Sequence, residues 1–165
     1  MKILLISDNH LTPGLAKAME REQADLSLHM GDSQFKKDNK EMIGFDYAIQ
    51  GNCDFEKYPE HQICEVGNDH WLLFHGYQVY NAHDLEAIAA YAKTFKCQVV
   101  CYGHTHVPVY SKVDGVIILN PGSFARSRTN YPNSYMTVEI KDDQWRVQLK
   151  YANNGSLIKE FKLNE

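Results

Sequence analysis

Four short segments carry residues suited to chemistry at close quarters: Asp8-Asn9-His10, Gly31-Asp32, Gly51-Asn52-Cys53-Asp54 and Gly103-His104-Thr105-His106. His75-Gly76 is a fifth. Read as ligands, they supply Asp8, His10, Asp32, Asn52, His75, His104 and His106. That is two carboxylates, one amide oxygen and four imidazoles, with no obligatory thiolate. Seven donors are too many for one tetrahedral ion and suit two divalent ions sharing a carboxylate. Such a set accepts manganese, iron, zinc or nickel, and its hard oxygens favour manganese (Mn2+) or iron. Each piece alone is weak evidence. A Gly-Asp pair after a strand is usually a turn, and Gly-His-Thr-His also serves as a hydrogen-bonded turn. Their joint order is what is specific.

Each segment follows a predicted strand. Residues 2–7 form an apolar run that suits a buried strand. Thr12-Pro13 then reads as an N-cap and first helical residue, opening an amphipathic helix over 13–24 on Leu11, Leu15, Ala18 and Met19. Strands are expected at 25–30 and 45–50, giving a β-α-β-loop-β opening, the signature of a sheet with crossover helices. Residues 61–66 and 70–75 flank Gly67-Asn68-Asp69 as a hairpin. A helix over 83–95 shows one face through Leu85, Ile88, Ala92 and Phe95, and 97–102 is a further strand. The remainder reads as β: hairpins of 109–113 with 116–119 and of 135–140 with 145–151, then a closing strand at 157–163. Residues 121–132 are the longest loop. Ligands of open α/β sheets lie at the carboxyl ends of strands, where all five segments fall.

With 165 residues, 44% apolar and 23% charged, the chain suits a single globular domain over 1–165. Lysine plus arginine total 17 against 21 acidic residues, a net charge of -4. That balance offers no broad positive field for extended nucleic acid, so any phosphate chemistry needs a local positive source. The opening apolar run, Ile3 to Ile6, is too short for a signal peptide or a membrane span. With four scattered cysteines and no C-x-x-C pair, the expectation is a cytoplasmic chain with reduced thiols and no membrane.

The order D-x-H, G-D, G-N-x-D, H-G, G-H-x-H resembles the calcineurin-like metallophosphoesterase superfamily. Gly51-Asn52-Cys53-Asp54 and Asn120-Pro121-Gly122-Ser123 resemble its small bacterial and archaeal branch, the YfcE-type phosphodiesterases. The motifs span residues 8 to 123. The resemblance implies an α/β fold, a four-layer α/β/β/α sandwich of mixed sheets flanked by helices. It implies one ion on Asp8, His10, Asp32 and His106, and a second on Asp32, Asn52, His75 and His104, with Asp32 bridging. Asp32, Asn52, His75 and His104 are thereby assigned to catalysis. The implied reaction is in-line attack on phosphorus by a water the two ions share, with the ions supplying the missing positive charge. The implied partner is a small phosphoester.

Cys53 stands where the wider superfamily usually has a histidine credited with steadying the transition state or protonating the leaving group. A thiol is a poor substitute, although the small branch often carries it. Cys53 also reads as a small space-filling residue. Asn9, Cys53 and Arg128 are candidates for substrate contact, against turn, space-filling or solvated roles, and Arg126 lies in the same loop as Arg128. Asp54 either orients a ligand or caps its turn. His29, His61, His70 and His83 read as surface or capping histidines. Two alternatives accompany the phosphodiesterase reading: a phosphomonoesterase on a small metabolite, and a scaffold like the retromer subunit that has this fold with a degraded metal site. All seven ligand positions are filled, which favours chemistry. The aromatic-rich β half leads to the expectation of a homodimer or homotetramer.

Overall fold

A computed structural model describes residues 1–163. Its elements in chain order are β1 (Lys2–Ile6), α1 (Leu15–Glu22), β2 (Leu26–His29), β3 (Tyr47–Ala48), β4 (His61–Val66), β5 (Asp69–Phe74), α2 (Leu85–Thr94) and β6 (Val99–Cys101). Then follow β7 (Pro108–Val113), β8 (Val116–Pro121), β9 (Ser134–Lys141), β10 (Gln144–Tyr151) and β11 (Leu157–Phe161). One sheet has the order β11-β10-β9-β1-β2-β3, the other β4-β5-β6-β8-β7. Both are mixed. β1, β2 and β3 run parallel in the first, while β5, β6 and β8 run parallel in the second.

The alternation of side chains along each strand sets the layers. Ile3 and Leu5 of β1 face Trp71, Leu73, Val99 and Leu119 of the other sheet. Leu4 and Ile6 point the opposite way, onto Leu15 and Ala18 of α1. In β5, Trp71 and Leu73 face the first sheet, whereas Leu72 and Phe74 meet Ile88, Ala89 and Ala92 of α2. Strands covered on both faces read as unbroken apolar runs, as in Ile3 to Ile6. The result is α1, sheet, sheet, α2, the expected four-layer arrangement. Among the described residues no helix is long and apolar enough to cross a membrane.

Three local expectations need correction. α1 begins at Leu15, after a left-handed Gly14 that has no side-chain cap of its own. Its free amides at Gly14 and Ala16 are taken by Glu41 Oε2, at 3.1 and 2.9 Å. The cap comes from a distant segment, so Thr12-Pro13 lies in the loop before the helix. β3 pairs over only two residues. β8 extends through Asn120 and Pro121, which pair with Val109 and Pro108 rather than opening a loop.

Candidate metal centre

All five segments leave the carboxyl ends of parallel strands: β1, β2 and β3 in one sheet, β5 and β6 in the other. Pairing continues past the strands and ties the loops together. Asp8 N donates to Gly31 O, His10 N to Asp32 O and Gly103 N to His75 O. The backbone is unusual here. Asp8, His10, Asp32, His104 and His106 all have left-handed torsions, with φ of 55°, 43°, 55°, 65° and 60°. This region is costly for residues with a Cβ and concentrates at functional sites. Glycine is needed between them. A Cβ on Gly51 would collide with Asp32, and one on Gly103 with Ser7 and Asp8.

The side chains converge. His75 Nε2 lies 3.2 Å from Asp32 Oδ2 and 3.7 Å from Asp8 Oδ1. His106 Nε2 is 3.2 Å and His10 Nε2 3.9 Å from the same Asp8 oxygen. His104 Nδ1 is 3.0 Å from Asn52 Oδ1, and the rings of His75 and His104 stand 5.1 Å apart. Thus the seven residues singled out from sequence meet at one edge of the two sheets. Asp8 Oδ1 approaches three imidazoles and so lies between the groups as Asp32 does.

Three imidazoles are oriented from behind. His75 Nδ1 meets Met30 O at 2.5 Å, His106 Nδ1 meets Arg126 O at 2.6 Å, and His10 Nδ1 meets Gln34 Oε1 at 2.9 Å. Each acceptor fixes the proton on Nδ1, and the Nε2 lone pair faces the centre. Asp8 Oδ2 accepts the Ser7 hydroxyl and the His104 amide. Asp8 Oδ1 and His75 Nε2 are buried with no hydrogen-bond partner. A buried orphan carboxylate oxygen beside an orphan imidazole nitrogen fits a divalent cation. Three groups have donor atoms close enough to hold an ion: Asp8 with His10 and His106, Asp8 with Asp32 and His75, and His10 with Asp32 and the Cys53 thiol.

Charge reinforces this. Burial opposes ionisation of Asp8, but His106 and His75 hold its carboxyl below the ordinary range. Burial likewise opposes Asp32, and His75 above all holds it well below that range. Burial works against a charged His75, yet Asp32 and Asp8 push it up to about 9. The same two carboxylates that favour positive charge on His75 would favour a divalent cation beside it, and binding would then compete with protonation.

Other candidates are placed differently. Asn9 is buried, and its amide is consumed by His29 Nε2 at 2.9 Å and by Thr12 O at 3.2 Å. It serves the loop rather than facing outward. His29, read as a surface or capping residue, is instead buried as the partner that locks Asn9. Burial drives its pKa down to about 4. Cys53 is half-buried, and its backbone N–H donates to Asp32 Oδ1 at 2.8 Å. Its thiol is raised by burial and then by Asp32. Asp54 accepts from the backbone of Asp32, Gly51 and Gln34. Arg126 and Arg128 are exposed, and Arg128 stands near enough to His104 for its charge to bear on that ring.

Sequence reasoning passed over Gln34, Ser7, Asn120 and Ser123 as supports. Asn120 Nδ2 donates to Gly103 O and Thr105 Oγ1, bracing the His104 to His106 turn. Ser123 Oγ donates to Asp8 O at 2.8 Å. The Asn-Pro-Gly-Ser segment was the available signal, and its work is to hold the ligand loops.

Comparison with known proteins agrees. The chain is 27% identical over 166 residues to the probable metallophosphoesterase YsnB of Bacillus subtilis, covering 98% of this chain and 97% of that one. It is 28% identical over 170 residues to phosphodiesterase MJ0936 of Methanocaldococcus jannaschii, covering 87% and 94%. A conserved protein of Streptococcus pneumoniae TIGR4, described as a predicted phosphoesterase, superposes with TM-score 0.84 at 27% identity, covering 97% and 96%. Zinc-complexed Vps29 of Entamoeba histolytica superposes at 0.80 with 25% identity, covering 98% of each chain. The model of the calcineurin-like phosphoesterase superfamily domain matches residues 1–143, and the chain belongs to that superfamily.

Proposed function

We propose that this chain is a phosphodiesterase working with two divalent ions, manganese by preference. The observation that carries the reading is the orphaned pair, Asp8 Oδ1 and His75 Nε2, at the meeting point of seven donors. Asp8, His10 and His106 would hold one ion, and Asp32, His75, Asn52 and His104 the other, with Asp32 and Asp8 between. Bound there, such ions acidify a water and neutralise charge growing on the phosphoryl oxygens. The chain's own residues do the rest. Met30, Arg126 and Gln34 hold the imidazoles in the binding tautomer. Asp54 holds the Asp32 loop. Asn52 is exposed and His104 half-exposed, so the centre opens to substrate on their side.

A diester suits this centre better than a monoester. A monoester lacks a second arm for the open side to grip. The test is a manganese-supplemented assay of bis(4-nitrophenyl) phosphate against 4-nitrophenyl phosphate. The expected result is faster release from the diester. Preference for the monoester would favour a phosphomonoesterase. A second reading, a protein-interaction scaffold, is supported by the likeness to Vps29. Absence of turnover on either ester, with metal bound, would favour it.

A further inference from the structure

The geometry points to a nucleoside-binding subsite beside the metal centre, with Tyr77 as the residue that selects a flat ring on one arm of the diester. This rests on the phosphodiesterase reading and names its substrate class. A cavity of about 540 Å³ opens from Asn52 and is lined further out by Gln50, Lys57, Tyr58, Glu60 and Tyr77. Because Asn52 belongs to both, the cavity adjoins the metal centre, within reach of an ester arm of a phosphoryl group held there. The size is within the range that takes a small organic group.

Tyr77 is set here by the ligand loop. Gly76, at φ +129°, turns the chain directly after His75, and a Cβ there would press on His104. The Tyr77 ring then stands 6.1 Å from the His75 ring and remains 38% exposed. The opposite wall is fastened to it. Gln78 Nε2 donates to Glu60 O, and Gly76 N donates to Gln78 Oε1. Gln50 N donates to Pro59 O, and Tyr58 N donates to Gln50 Oε1. The cavity is therefore built by hydrogen bonds across two segments rather than left between loose loops.

Its chemistry is that of a base. An aromatic face offers stacking, which any base accepts. Lys57 and Glu60 are exposed on the rim, and among the described residues neither forms an ion pair. A cation donor and an anion acceptor beside one ring match the adjacent acceptor and donor edges of a nucleobase, and a plain alkyl arm would use neither.

The test compares thymidine 5′-(4-nitrophenyl) phosphate with methyl 4-nitrophenyl phosphate, which share a leaving group and differ only in the other arm. In manganese-supplemented wild-type protein the thymidine ester should show a KM roughly tenfold lower, the scale of one stacked base. Tyr77→Ala should erase that advantage by raising KM for the thymidine ester alone, with kcat little changed. Tyr77→Phe should keep it. Equal KM for the two esters in wild type, or a Tyr77→Ala loss shared equally by both, would overturn the subsite and leave the phosphodiesterase reading intact. Should neither ester turn over, that reading fails, and calorimetry with thymidine 5′-monophosphate decides the subsite. Binding lost in Tyr77→Ala would uphold it, and no binding to wild type would overturn it.

Discussion

Asp54 Oδ2 accepts the backbone N–H of Asp32 at 2.9 Å while its other oxygen accepts that of Gln34 at 2.7 Å. One carboxylate thus holds in place the loop that presents another, together with the residue that orients His10. Asp54→Asn keeps the size but turns one acceptor into a donor facing an N–H. Manganese affinity should fall about 10- to 100-fold, the usual effect of disturbing a ligand's support. Titration calorimetry measures it, and excess manganese should restore most activity. Unchanged affinity would show that Asp54 merely closes its turn.

Asp32→Asn removes charge from the centre while retaining shape. Activity with manganese should be lost, and circular dichroism should stay unchanged, because the residue sits on a loop outside the three apolar clusters. Turnover at the wild-type level would remove Asp32 from the mechanism.

Cys53 places a thiol, a weak proton donor, within 4.8 Å of an Asp32 carboxylate oxygen. Rates over a series of diesters should therefore fall steeply as the leaving group becomes more basic. Cys53→His should help the most basic leaving groups most, by up to roughly 100- to 10,000-fold. A flat wild-type series, or an equal gain on every ester, would mean that leaving-group protonation does not limit the rate.

The buried His29 links folding to pH. Its pKa is about 4 in the fold against 6.5 when unfolded. The unfolded chain binds the extra proton between those values, so stability is full above 6.5 and declines as pH falls towards 4, by about 3 kcal/mol in all. Denaturant unfolding at pH 7 and pH 5 reads this. His29→Gln should be less stable at pH 7 and show a flatter profile, and an equally steep profile would assign the dependence elsewhere.

Glu22, at the end of α1, is buried among Lys2, Lys150 and the Tyr135 hydroxyl. Burial opposes its charge, but Lys150 and Lys2 hold its carboxyl below the usual range. Its contribution is present above the unfolded value of 4.5 and is lost as pH falls below it. Glu22→Gln should cost about 1–3 kcal/mol at pH 7 and progressively less in acid. Thermal unfolding measures the difference, and a constant cost across pH would mean that shape rather than charge matters.

The sequence made the strands legible because their faces are apolar, and the ligands because histidine and aspartate stand immediately after them. Beyond that, long-range contacts decided. Nothing near Thr12 shows that Glu41 caps α1 from 25 residues away. Asn9 resembles a residue free to meet substrate until His29, 20 positions on, is seen to take its amide. Asn120 and Pro121 have loop-like composition, yet pairing with β7 keeps them in a strand. Nor does a residue's type reveal a left-handed torsion. Asp8 and His106 adopt theirs because hydrogen bonds from Ser123 and to Arg126 fix the surrounding loops.

Those five torsions bear on the protein's life in the cell. Each left-handed residue with a Cβ costs about 1–2 kcal/mol, which the hydrogen bonds holding the loops offset in part. On the two-ion reading, a cation that binds the folded chain alone would offset the remainder, to a degree set by how far its free concentration exceeds its Kd. Folding and metal supply would then be coupled. A cell short of the metal would hold a chain that opens more often and is cleared sooner, so scarcity would show as less protein before it showed as idle enzyme.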